Sequence, residues 1–80
     1  MVSYSAFTIE RAQRAIRLTK REIEVLGLIA QGCSSKEAAD ALVVSKRTVD
    51  FHIDNARAKL GTASRVEAVV KAISGRLIEP

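Results

Sequence analysis

Residues 34–61 read SSKEAADALVVSKRTVDFHIDNARAKLG, and the way this stretch divides decides the fold. Ser34-Ser35-Lys36-Glu37 has the spacing of a capping box, in which the serine hydroxyl accepts from the backbone at Glu37 and the carboxylate reaches back. The short helix that follows puts Ala38, Ala39 and Leu42 on its buried face, and such small residues let a second helix approach closely. Val43 and Val44 are β-branched and weaken helix propensity, while Ser45 is suited to cap a new helix, so the chain turns between Leu42 and Lys46. Beyond the turn Val49, Ile53, Ala56 and Leu60 recur at spacings of four, three and four, the period of one apolar stripe, until Gly61 ends the helix. The opposite face of that helix shows Arg47, Asp50, Phe51 and Asp54.

The same punctuation organises the flanks. Thr19-Lys20-Arg21-Glu22 is a second capping box, with Leu18 and Ile23 at the positions of a hydrophobic staple. Ile23, Leu26, Ile29 and Ala30 follow at helical spacing, widened by Val25 and Leu28, and Gly32 supplies the left-handed residue that stops the helix. Ser64-Arg65-Val66-Glu67 opens a last helix with Val66, Val69, Val70 and Ile73, closed near Gly75 and followed by Leu77 and Ile78. Before residue 18 the pattern is weaker, with a short helix over 8–16 that sets Arg11, Arg14 and Arg17 largely to one side. The expected fold is all-α: four helices over residues 18–80, preceded by a short extension or linker over 1–17 with this helical stretch.

Eighty residues make one domain, and a chain of this size has a lean core. Cys33 is the sole cysteine and His52 the sole histidine, so neither an internal disulfide nor a structural zinc set is available and packing alone holds the core. No nucleophile with a base, carboxylate pair or phosphate-cradling glycine loop stands out, which argues against an enzyme and gives no cofactor to expect. The absence of a bilayer-length apolar run or a signal-peptide pattern leads to a cytoplasmic, non-membrane expectation. Thirteen lysines and arginines against nine acidic residues give a formal charge of +4, which favours polyanionic partners.

A short helix, a tight turn and a longer helix with polar groups outward form the layout of a helix-turn-helix. The major groove of double-stranded DNA, about 12 Å wide, admits one such helix. In this layout the N-terminal part of the second helix meets base edges, which selects Lys46, Arg47, Asp50, Phe51 and Asp54 as base-reading candidates. Lys36, Thr48, Arg57 and Lys59 are placed for phosphates. Helical hairpins with polar faces also occur in bundles that bind no nucleic acid, so the layout alone leaves both readings open.

Further residues carry a resemblance. Leu18-Thr19-Lys20-Arg21-Glu22 with Glu24-Val25-Leu26, then Gly32, Ser34, Lys36-Glu37, Ala39, Leu42, Val44-Ser45, Thr48-Val49, His52, Asn55, Lys59-Leu60 and Ser64-Arg65, resembles the DNA-binding domain of LuxR-type transcription regulators over about residues 18–78. Within that family residues 47–56, with Lys71-Ala72-Ile73 and the Leu77-Ile78 ending, are most similar to acyl-homoserine-lactone receptors of quorum sensing. The resemblance implies a four-helix domain whose third helix reads DNA and whose fourth pairs two protomers on a two-fold symmetric operator, and a regulator that recruits or hinders RNA polymerase. Arg47, Asp50, Phe51 and Asp54 fall at the family's base-reading positions. The chain departs from the pattern where Asp50 and Asp54 stand in place of a frequent lysine or asparagine, and where Ser35 replaces a common asparagine.

Several residues have two readings. Aspartates at a phosphate-lined groove oppose binding, yet aspartate also accepts from the cytosine amino group, and Arg47 pairs bidentately with guanine. Phe51 either touches a thymine methyl or covers its neighbouring helix. His52, beside the apolar stripe, reads as packing, and Cys33 as an inert small residue. Arg65 gains nothing from its helix start, so a partner is expected elsewhere, with Glu22 as the candidate. The basic N-terminal stretch is a linker or a DNA-backbone contact. Val69, Val70, Ile73 and Leu77 exceed one buried stripe and are the candidate homodimer contact, the alternative being a core closed by the N-terminal segment. The rival function is a protein-interaction module that pairs with a full-length regulator and holds it off DNA.

Overall fold

A computed structural model describes residues 16–78. It contains four helices, α1 (Lys20–Ala30), α2 (Ser35–Leu42), α3 (Lys46–Leu60) and α4 (Arg65–Ser74), and no strand among the described residues. The candidate helix over 8–16 lies outside them apart from Ile16.

Local hydrogen bonding starts each helix where the serine and threonine signals stand. Thr19 Oγ1 accepts from Glu22 N at 3.1 Å, and Thr19 N donates to Glu22 Oε1 at 2.8 Å. Ser34 and Glu37 close the same reciprocal pair at the start of α2. Ser45 caps α3 by accepting from Thr48 N, and Ser64 caps α4 by accepting from Glu67 N. Glu37 is held below the ordinary carboxylate range mainly by the backbone N–H of Ser34.

The helices end differently from one another. Gly32 and Gly61 take the left-handed conformation, with φ of 101° and 69°, as expected of helix-stopping glycines. At the end of α4 the left-handed residue is Arg76 rather than Gly75, whose φ is −83°. At the end of α2 it is Val43, with φ 57° and ψ 47°. A β-branched residue is strained there, because its Cβ crowds the following carbonyl. Val43 is 90% exposed, so no packing offsets the strain. Val43→Asn, which visits this conformation more readily, is expected to stabilise the domain by about 1 kcal/mol and raise Tm by about 4–8 °C on thermal melting. An unchanged Tm would mean that the unfolded chain gains as much.

Two apolar clusters share α3 between them. Val49 and Ile53 join Val25, Ala38 and Ala39 in the half built from α1, α2 and α3. Ala56 and Leu60 join Leu26, Ala68, Ala72 and Ile78 in the half that includes α4. Adjacent residues of α1, Val25 and Leu26, therefore serve opposite halves, both fully buried. The expected α3 stripe is the observed one, whereas two others shift. On α1, Ile23 is 38% exposed and does not act as core; Leu18 packs on the Leu26 cluster while Ile23 lines a groove with Leu28 and Leu42. On α4, Ala68 and Ala72 form the buried line and Val66 and Val70 face outward, so the side packed on the Leu26 cluster carries methyl groups.

Candidate nucleic-acid interface

The turn after α2 and the Ser45 cap deliver α3 with its apolar stripe inward, which leaves the outward face to charged and aromatic side chains. Fifteen residues make this helix about 22 Å long. Residues four apart lie in line, so the face resolves into two rows. Arg47 and Phe51 form one, both exposed, with Phe51 at 61%. The Phe51 ring meets the half-buried His52 ring edge-on, with centroids 5.7 Å apart. Lys46, Asp50 and Asp54 form the other row, and every member of it is ion-paired.

Asp50 is the most connected of these. Its Oδ2 accepts from Lys46 Nζ at 3.0 Å, and its Oδ1 accepts from Ser35 Oγ at 2.8 Å and lies 3.4 Å from Arg65 Nη2. The Lys46 and Ser35 hydrogen bonds, with the nearby Arg65 charge, hold its carboxyl below the usual range despite some desolvation. Ser35 at the start of α2 and Asp50 on α3 thus touch each other.

The expected Glu22–Arg65 pair does not form. Glu22, 2% exposed, instead accepts from Lys59 Nζ at 2.7 Å, and Arg65 turns to Asp50. Both carboxylates have a cation nearer in space than the sequence suggests, because α3 runs between the starts of α1 and α4. The other residues proposed for phosphates divide similarly. Arg57 donates to Asp54 Oδ1 at 3.1 Å and to the Ala63 carbonyl at 2.7 Å, bracing the loop before α4. Thr48 Oγ1 shares a 2.9 Å hydrogen bond with Ser45 Oγ, and Lys36 is exposed on α2. Lys46 and Arg47 stand at one end of α3, and Arg57 and Lys59 at the other.

Of the residues proposed for pairing protomers, Val69, Ile73 and Leu77 are half-buried against the Leu26 cluster, and Val70 is 56% exposed. Val70 lines a shallow groove with Ile29, Ala30, Arg65, Val66 and Val69, between α1 and α4. The long-range partners of Asp50 are missing from the sequence-derived site. Lys46 is recoverable from its i,i+4 spacing and Arg65 from its poorly placed charge, but nothing in the spacing brings Ser35 to Asp50.

Comparison with known proteins agrees with this geometry. Residues 17–72 match the family described as bacterial regulatory proteins, luxR family. The chain is 46% identical over 63 residues to the transcriptional activator protein VanR of Vibrio anguillarum, covering 79% of this chain and 26% of that protein. It is 45% identical over 62 residues to the oxygen regulatory protein NreC of Staphylococcus aureus, covering 78% and 29%. The chain thus spans under a third of the length of these relatives. The solved structure of the transcription factor GerE superposes with a TM-score of 0.74 at 32% identity, covering 78% of this chain and 92% of that one. With four helices arranged as in that structure and the family pattern running through all of them, the chain belongs to the luxR family of bacterial regulatory proteins and is a helix-turn-helix DNA-binding domain.

Proposed function

We propose that this domain binds double-stranded DNA sequence-specifically as the output part of a longer bacterial transcription regulator, with α3 in the major groove and two copies on a two-fold symmetric operator. The observation that carries the reading is the outward face of α3, a single helix with Lys46, Arg47 and Phe51 exposed at its N-terminal half. Residues 18–80 are the binding unit and 1–17 the linker. Lys46, Arg47, Asp50, Phe51 and Asp54 face the bases; Lys36, Thr48, Arg57 and Lys59 face the backbone. Val69, Val70, Ile73 and Leu77 pair the protomers, and the α1–α4 groove around Val66 and Val70 supports an apolar contact there. RNA polymerase as partner, a cytoplasmic and nucleoid-associated location and an acyl-homoserine-lactone signal follow from the family resemblance. The regulatory roles in the names of VanR and NreC support a transcriptional output.

Selection against a random duplex pool, then titration of the winning and a scrambled duplex at two salt concentrations, tests the reading. Enrichment of a symmetric site with steep salt dependence is expected. Arg47→Ala is expected to cost about 1–3 kcal/mol on the selected site and to relax preference at one base pair, read by repeating the selection. Equal binding of all duplexes would sink the reading. The paired carboxylates of Asp50 and Asp54 favour a second one, a protein-interaction module that holds a full-length regulator off DNA. That module would show no enrichment.

A further inference from the structure

Three helices begin at the same carboxylate. Ser35, Lys46 and Arg65 are the first residues of α2, α3 and α4, and all three donate toward Asp50. A cation at a helix start faces the positive end of the helix dipole and is poorly placed until an anion joins it. Asp50 supplies that anion from within the chain. Its side chain is 36% exposed, and those of Lys46 and Arg65 are 64% and 40% exposed, so the cluster opens to solvent beside the recognition face. Exposed ion pairs are weak and exchange readily, so an outside anion can take the same donors. A duplex phosphate presents the same chemistry, oxygens that accept from an ammonium and a guanidinium.

We propose that Asp50 is a specificity-determining residue that acts through other side chains: it is an internal counter-ion that competes with duplex phosphates for Lys46 and Arg65 and so suppresses sequence-independent binding. The proposal rests on the DNA-binding reading and adds, for sequence-independent binding, a role for Asp50 other than contact with a base and a phosphate rather than a base as the partner of Lys46. Three of the roughly four acceptor positions of its carboxylate are engaged before any DNA arrives. Ser35, 4% exposed, anchors the carboxylate so that it remains in place when its cations leave.

The test is binding to a random-sequence duplex across a salt series. Asp50→Asn keeps an oxygen for Ser35 and releases both cations. Each phosphate contact contributes about 0.9 to the slope of log K against log salt, so this variant is expected to steepen it by about 1.8. Between about 50 and about 200 mM salt its affinity then falls roughly tenfold further than that of the unmodified chain. Asp40→Asn, a charge-matched control at an exposed position of α2, is expected to run parallel to the unmodified chain. In a Lys46→Gln, Arg65→Gln background, adding Asp50→Asn is expected to leave the slope as it was. Equal slopes for Asp50→Asn and the unmodified chain overturn the proposal alone. So does the same steepening in Asp40→Asn, which would be a net-charge effect, or continued steepening in the doubly neutralised background. Binding of duplex by neither protein overturns this proposal and the DNA reading together. Helix content by circular dichroism accompanies each titration. Should Asp50→Asn melt, Arg65→Gln decides: an unchanged slope supports a withheld Arg65, and a slope shallower by about 0.9 overturns the proposal.

Discussion

Leu26→Ala is expected to cost about 4 kcal/mol, the upper part of the range for burying an alanine where a leucine stood. Leu26 is fully buried where α1 crosses α3 and α4, and three of its neighbours in that cluster are Ala56, Ala68 and Ala72. Methyl groups have no further length with which to close a cavity. A domain of roughly 60 residues holds about 3–9 kcal/mol in total, so this one substitution removes a large share of it. Urea denaturation read by circular dichroism measures the loss. Leu26→Met, which keeps the volume, is expected to lose under about 1.5 kcal/mol. A loss as small for alanine would show that the α1–α4 crossing can collapse inward.

Glu22→Ala is expected to cost about 2–3 kcal/mol, because one carboxylate performs two tasks. It completes the cap at the start of α1 by accepting from Thr19 N, and it accepts from Lys59 at the end of α3 while 2% exposed. Removing one partner of a fully buried pair costs about 3–5 kcal/mol, but the Lys59 side chain is 38% exposed and can turn to water, which lowers the expectation. Glu22→Gln keeps the oxygen that caps Thr19 and loses the charge, so about half the effect is expected.

The pH dependence of Glu22 separates these tasks. Burial raises its pKa, but the Lys59 hydrogen bond, the Thr19 N–H and the Lys59 charge together outweigh it and lower the pKa below its ordinary 4.5. A carboxyl whose pKa falls on folding contributes stability that is fully present above 4.5 and is lost as pH falls through the lower folded value. Asp50 and Glu37 are shifted the same way and add to the acid limb. Glu22→Gln is expected to flatten that limb in denaturation curves collected below pH 4.5 and to leave the shape above it unchanged. An identical acid limb would mean that folding leaves the Glu22 pKa unshifted, burial offsetting the Lys59 and Thr19 contacts.

The helix starts at Thr19, Ser34, Ser45 and Ser64 could be read from the chain because a cap is a hydrogen bond within one turn, encoded by residues three apart. The stripe of α3 was legible for a related reason: this helix is packed on both halves of the core, so its apolar period is complete. The α4 stripe was not, since valines outscore alanines in hydrophobicity and only the placement of the helix on the core makes Ala68 and Ala72 the buried pair. Val43 in the left-handed region is likewise a decision of the tertiary structure, which bends the chain there whatever the residue prefers.

The candidate site divides along the same line. That α3 exists, where it begins and which of its side chains face outward follow from spacing within one helix, and so from the chain alone. The tertiary structure alone decided which charges meet: Glu22 with Lys59 across 37 residues, and Asp50 with Ser35 and Arg65, each 15 residues away. Pairing depends on where helix ends arrive in space, and a carboxylate takes the nearest cation that the crossing angles present to it.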